Sequence, residues 1–306
     1  MTAERLLLLR PRGFGLDLEA ARTNVFQTAH IAQEDGSPRA AAAAEFEGLV
    51  ANLRAAGAEL DVLDEPQDSR AVDAVFLNNW FSTHACGTLV LYPMANPVRR
   101  IERRADLIEA IQERVGAREV WDLTAREADQ RFLEGTGSLV LDREARVAFA
   151  GRSQRTDEGL VREWCERMGY RPVLFDTEFR GVAVYHTNVL LSVAGGARAS
   201  AGAVWCPQAV VAADRERVAG ELAAGGRRVC ELDLTQLAEF CGNTLRVRVR
   251  DAAAWVMSSR ARRALRPAQL EELGRVVDAE LGTIETVGGG SARCMLAEAE
   301  AFQTVA

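Results

Sequence analysis

The stretch DEGLVREWCERMGYRPVLF (157–175) decides the fold. It divides into a helical run from Asp157 to Met168, a stop at Gly169, and a short apolar strand, Pro172-Val173-Leu174-Phe175. Glycine ends a helix because it adopts the left-handed conformation that closes the last turn. The same order occurs four more times. Arg39 to Ala56 sets Phe46, Leu49, Val50 and Leu53 at amphipathic spacing among alanines, stops at Gly57, and leads into a strand over 58–63. Glu102 to Val115 stops at Gly116 before a strand over 119–123. Asp214 to Ala224 stops at Gly225-Gly226 before 229–232. Pro267 to Leu273 stops at Gly274 before 276–278, with Pro267 where a first helical turn tolerates it.

A second marker keeps the same beat. Small or polar residues precede an apolar run at Asn78-Asn79-Trp80-Phe81, Gly135-Thr136-Gly137-Ser138-Leu139 and His186-Thr187-Asn188-Val189. The marker returns at Gly242-Asn243-Thr244-Leu245 and at Gly289-Gly290-Ser291-Ala292-Arg293-Cys294. Two markers recurring about every fifty residues indicate repeats, each too small to bury its own face. Five such α/β units closing on themselves form a propeller-like ring with helices outside, a single domain over residues 1–306 whose small-polar turns converge on the axis. Two doubly wound domains are the competing arrangement. No linker rich in Pro, Gly or Ser divides the chain, which favours one domain. The Leu6-Leu7-Leu8-Leu9 run is too short for a secretory segment or a membrane span and reads as a buried first strand.

The 306 residues are 48% hydrophobic and 26% charged, the composition of a soluble globular chain with a sizeable core. A net charge of −7 argues against nucleic acid or an anionic membrane as partner. Every basic residue is Arg, scattered among acids. The six cysteines show no C-x-x-C and no paired spacing, as expected of reduced thiols in a cytoplasmic protein. His30, His84 and His186 are far apart without metal-binding spacing, so no metal is expected, and no cofactor.

Glu134, His186 and Cys294 each lie within, or one residue before, the turn of a different unit. In a ring they would share one pocket. Together they are the parts of nucleophilic catalysis at a planar carbon, provided that a neighbouring imidazolium or backbone amides favour the thiolate. His186 would supply that charge, protonate the departing amine and activate water; Glu134 would orient the imidazole or hold substrate N–H groups. The competing reading is a buried structural cysteine and a core histidine. Trp80 and Phe81 belong either to a pocket entrance or to the core, and residues 12–35 either cover the pocket or form a static loop.

The segments Glu134-Gly135-Thr136-Gly137-Ser138, Tyr185-His186-Thr187-Asn188 and Gly289-Gly290-Ser291-Ala292-Arg293-Cys294-Met295 resemble the catalytic segments of the guanidino-group-modifying superfamily. That superfamily holds arginine deiminase, dimethylarginine dimethylaminohydrolase and the amidinotransferases, with a five-bladed β/α propeller. Arg10-Pro11, Phe14-Gly15, Asn24-x-Phe26-Gln27, 78–84 and 131–138 look most like the citrulline utilization hydrolases. The resemblance implies Cys294 as nucleophile, His186 as general acid and base, and Glu134 as the carboxylate at the reacting nitrogens. It implies Asn78, Asn79, Arg99, Arg100, Arg155 and Asp157 as substrate-binding residues, with Arg99 or Arg100 on an α-carboxylate.

Guanidino-directed relatives generally carry an acid where this chain has Asn79. A buried guanidinium wants carboxylates, whereas a neutral ureido group suits an amide. The expected activity is therefore hydrolysis of citrulline to ornithine, ammonia and carbon dioxide, with backbone amides near Gly289 and Gly290 as candidate oxyanion donors. Deimination or dimethylaminohydrolysis of an arginine derivative, amidino transfer, and a non-catalytic binder are the alternatives. The expected partner is a small amino-acid substrate, not nucleic acid or a membrane; a homodimer stays open.

Overall fold

The helix, glycine and strand read along the sequence recur as the crossover helix and last strand of five small sheets. The computed structural model describes residues 5–19, 22, 24–27, 38–194 and 202–300. The first unit holds β1 (Arg5–Arg10), α1 (Arg39–Ala56) and β2 (Glu59–Asp64), and the second β3 (Phe81–Thr83), β4 (Thr88–Leu91), α2 (Ala105–Val115) and β5 (Glu119–Asp122). The third holds α3 (Gly135–Ser138), β6 (Val140–Asp142), β7 (Val147–Gly151), α4 (Glu158–Met168) and β8 (Arg171–Phe175). In the fourth come α5 (Thr187–Leu190), β9 (Leu191–Val193), β10 (Ala203–Trp205), α6 (Ala212–Ala223) and β11 (Val229–Glu231). The fifth has α7 (Leu234–Ala238), β12 (Leu245–Val249), β13 (Ala252–Ser258), α8 (Ser259–Ala264), α9 (Pro267–Leu273) and β14 (Val276–Ala279), and α10 (Ala292–Met295) and β15 (Ala297–Glu298) follow.

Each sheet has three strands in one pattern, an antiparallel pair followed by a parallel pair. The parallel step needs a crossover, which α1, α2, α4, α6 and the α8–α9 pair provide. The first sheet takes its antiparallel edge from the other end of the chain: β15 pairs Ala297 with Leu7 and Glu298 with Leu6.

The helix stops follow the sequence reading at Gly57, Gly116 and Gly169, which are left-handed caps with φ of 88°, 64° and 68°. Other boundaries differ, those of α6 and α2 most. α6 ends at Ala223 on an extended Ala224. α2 begins at Ala105 rather than Glu102, because Pro97–Glu102 forms a separate 3-10 turn and Arg104 is extended.

Apolar packing joins neighbouring units. α6 touches β8, α9 touches β11, and α1 touches β14, so helices of the fourth, fifth and first units lie on the outer strand of the unit before. Phe46, Leu49, Val50 and Leu53 of α1 accordingly share a core with Val247, Val256 and Val277 of the fifth unit. Trp80 and Phe81 are wholly buried and packed on each other at 4.6 Å, so they are core residues, not a pocket entrance. Among the described residues no helix is long and apolar enough to cross a membrane, and no cluster of His, Cys, Asp and Glu suits a metal ion.

Candidate active site

The marker turns meet. Residues 77–79, α3, α5 and α10 are single turns before the first strand of a sheet; α3 touches both 77–79 and α5, and α10 touches 77–79. Their small residues are required by that approach. A Cβ on Gly137 would lie 2.7 Å from His186 Nδ1 and 2.8 Å from Asn79 Nδ2. One on Gly290 would lie 2.8 Å from the Phe76 ring.

A single cavity is lined by Asp73, Phe76, Asn79, Arg99, Arg155, Tyr185, His186, Gly288, Gly290, Cys294 and Asn24. His186 and Cys294 thus share one small space although they lie in different units. Asn24 donates to the Gly289 carbonyl at 3.1 Å, as does the Tyr185 hydroxyl at 2.6 Å, and Gln27 donates to Val287 O at 2.6 Å. These contacts place part of the 12–35 stretch against the glycine loop; residues 20, 21, 23 and 28–35, His30 included, lie outside the described residues.

Glu134 stands behind His186, with Oε2 2.7 Å from the imidazole Nε2 and 3.5 Å from Arg155 Nη1, and Oε1 accepting the Ala95 N–H at 3.0 Å. Burial alone would raise its pKa, but Arg155, the His186 hydrogen bond and Arg99 outweigh burial and hold it well below the usual carboxylate range. Burial lowers His186 to about 4, against the pull of Glu134 and with Arg155 and Arg99 adding to the fall. The imidazole is therefore neutral near pH 7. With the carboxylate on Nε2, that nitrogen carries the proton and Nδ1 keeps the lone pair.

Cys294 is 2% exposed. Asn243 Nδ2 lies 3.2 Å and Asn188 Nδ2 3.7 Å from its sulfur. Burial raises the thiol, opposed by hydrogen bonds from Asn243 and the Ser291 backbone, by Arg293 and by Asn188. The resting pair is consequently a thiol and a neutral imidazole, not the thiolate and imidazolium expected from residue types alone.

Arg99 is the centre of a buried charge cluster. Its Nε and Nη2 donate to the two Glu102 oxygens at 2.7 and 2.9 Å, its Nη1 donates to Asn79 Oδ1 at 2.8 Å, and Asp73 Oδ2 lies 3.9 Å from Nε. Burial raises Asp73 to about 7, with Arg99 pulling down and Glu102 and Asp17 pushing up.

Several expected site residues fall elsewhere. Arg100 is turned away, donating to Met94 O at 3.1 Å and pairing with Glu127 at 3.1 Å, because adjacent residues of a 3-10 turn point in different directions. Asp157 caps α4, accepting Leu160 N–H at 2.8 Å, and pairs with Arg131. Asn78 is a layer behind the wall, accepting from Asn79 at 2.9 Å and donating to Thr136 at 3.1 Å. The Gly289 N–H is committed to Glu285 O at 3.0 Å, which removes it from the oxyanion donors. Asp73, Asn188 and Asn243 were not anticipated. The two asparagines had a signal, since both sit in the marker turns.

The sequence matches the family model N,N dimethylarginine dimethylhydrolase, eukaryotic, over residues 10–301. Comparison with curated proteins gives no match. In fold the chain is similar to the substrate-bound N-terminal domain of ArgZ, an arginine dihydrolase from the ornithine-ammonia cycle in cyanobacteria, at 18% identity and a TM-score of 0.74, covering 97% of this chain and 98% of that one. It is similar to AgrE in complex with L-arginine, at 18% identity, TM-score 0.76, and 98% and 41% coverage. A dimethylarginine dimethylaminohydrolase adduct with S-methyl-L-thiocitrulline gives 14%, 0.62, and 97% and 99% coverage. The match over 10–301 spans nearly the whole sequence, and the chain therefore belongs to the N,N dimethylarginine dimethylhydrolase family of the guanidino-group-modifying superfamily, hydrolases of C–N bonds outside peptides.

Proposed function

We propose that this enzyme hydrolyses the ureido group of a free amino acid, citrulline foremost, through a covalent adduct on Cys294. The observation that carries the reading is one cavity wall shared by Cys294, His186, Asn79 and the Asp73–Arg99–Arg155 group. Arg155 suits an α-carboxylate, whose planar shape a guanidinium matches, while the Arg99 fork is held by Glu102 and Asn79 and adds its charge from behind; Asp73 suits an α-ammonium. Asn79 adds no charge to the wall, which fits a neutral ureido group better than a guanidinium.

In the reaction, neutral His186 takes the Cys294 proton and the sulfur adds to the ureido carbon. The adduct expels an amine, which receives that proton from His186. Water, deprotonated by the same imidazole, then releases a carbamate that loses carbon dioxide. Citrulline and one water give ornithine, ammonia and carbon dioxide, whichever nitrogen leaves first. Glu134 holds the imidazole and stabilises its protonated form.

The protonated thiol favours a second reading, arginine or a methylated arginine. A guanidinium would bring a positive charge to Cys294 and draw the thiol toward thiolate, which a ureido group cannot do.

We propose further that the five units close into a propeller and act as a single catalytic domain. The placement of α1 on β14 and the completion of the first sheet by β15 support closure.

The test is to incubate the protein with citrulline, arginine, a dimethylarginine and agmatine and to identify the products by mass. Ornithine from citrulline is the expected result. Citrulline accumulating from an arginine derivative, with none consumed, selects the second reading; an amidinated acceptor or no product from any compound contradicts both.

A further inference from the structure

We propose that Glu285 is a positioning residue for Cys294, acting through Ser291; the inference rests on the reading of Cys294 as nucleophile. Glu285 is wholly buried within the π-helical turn Ile284–Gly288, which ends on the first of three consecutive glycines. Glycine has the most backbone freedom to lose, so a loop of three needs restraint if the side chain beyond it is to hold one position. Glu285 closes this loop twice. Its carbonyl accepts the Gly289 N–H at 3.0 Å, and its Oε1 accepts the Ser291 hydroxyl at 2.6 Å. The Ser291 carbonyl in turn accepts the Cys294 N–H at 3.0 Å, so the restraint passes directly to the turn that carries the sulfur.

The entry to the loop is anchored separately, where the Glu45 oxygens accept the Thr283 and Ile284 N–H groups at 2.7 and 3.0 Å. The side-chain anchor at the exit is Glu285 with Ser291. That anchor is expensive to keep. Burial raises its pKa, opposed only by the Ser258 and Ser291 hydroxyls and by Arg260, whose Nη1 is 3.9 Å from Oε2. A buried carboxylate with so little compensation is poor as a stabilising device, since an apolar side chain of the same volume would cost less. The loop that this anchor closes supplies Gly288 and Gly290 to the cavity wall beside Cys294, which gives the anchor a use: fixing the sulfur relative to His186.

The test uses the full chain carrying Ser291→Ala, Glu285→Ala, Glu285→Gln, or Glu285→Ala with Ser291→Ala. Two readouts are taken: kcat and KM on the substrate found by the product assay, and the rate at which iodoacetamide modifies the Cys294 peptide, followed by mass. Because a misplacement of about 1 Å costs up to about 100-fold, each alanine variant should lower kcat about 10- to 100-fold with little change in KM. The alkylation rate should change in both, and the double variant should be no worse than the worse single. Glu285→Gln should recover most of the loss, since its amide oxygen can accept the same hydroxyl. Unchanged kcat in Ser291→Ala, or losses that multiply in the double variant, would overturn the proposal. Should Glu285→Ala fail to fold, Ser291→Ala and Glu285→Gln decide the matter. Should no substrate be turned over, the functional reading fails on its own, and an alkylation rate unchanged in Ser291→Ala still rejects the positioning role.

Discussion

Around Cys294 the closest side-chain partners are neutral amides, Asn188 and Asn243, whereas Arg99 is clasped by the Glu102 carboxylate with that of Asp73 3.9 Å away. The two regions border the same cavity and solve opposite problems. Burial keeps the thiol protonated against the pull of the two amides, and on the proposed reading substrate and His186 then act on it. The charged cluster sets two arginines against Asp73, Glu102 and Glu134; burial still raises Glu102 and takes Asp73 to about 7, and on the proposed reading the α-ammonium would be held at Asp73. On the proposed reading the difference separates reaction at the sulfur from recognition of an amino-acid head group at the ionic cluster, with Glu134 linking the two through His186.

The largest effect should come from breaking the neutral region. Cys294→Ser should lower turnover by at least about a thousandfold while leaving the melting temperature nearly unchanged, checked by steady-state rates and thermal unfolding. Arg99→Met should act on the fold as well. It strands Glu102 and Asp73 in the interior and should cost about 3–5 kcal/mol of stability, measured by denaturant titration. Exchanging the character of the boundary gives a smaller change. Asn79→Asp should shift the ratio of kcat/KM for arginine over citrulline upward by about tenfold, or about 1.4 kcal/mol, measured by competition between the two.

The smallest effect concerns pH. Asp73 is raised in the folded state from an ordinary value of 3.8 to about 7, so the fold loses stability as pH rises from 3.8 to about 7, where the penalty is complete, and regains it as pH falls back through that window. Asp73→Asn removes the penalty. Its melting temperature relative to the wild type should therefore be a few degrees higher at pH 8 than at pH 5. A difference independent of pH would show that Asp73 is not held as the charge cluster requires.

The repeat was legible because its signals are local: a left-handed glycine after an amphipathic helix needs no tertiary knowledge, and Gly57, Gly116 and Gly169 behave accordingly. The pairing of β15 with β1 was not, since strands from opposite ends of the chain leave no mutual mark in a short window. Arg99 and Arg100 are equivalent in sequence and become distinct only when one side of a 3-10 turn faces the cavity. Asp73 lies in an irregular segment without motif or period, and its place in the wall comes from burial beside Arg99. The protonation states were out of reach for the same reason. Residue types suggest an ion pair between Cys294 and His186, while complete burial reverses the expectation for both.

The central claim is a covalent adduct at one sulfur. Acid-quenching the enzyme during turnover of citrulline and taking the mass of the Cys294 peptide tests it most directly. The account predicts a fraction of that peptide heavier by a carbamoyl or N-alkylcarbamoyl group, absent from Cys294→Ser. An unmodified peptide throughout turnover, together with full activity in Cys294→Ser, would contradict it.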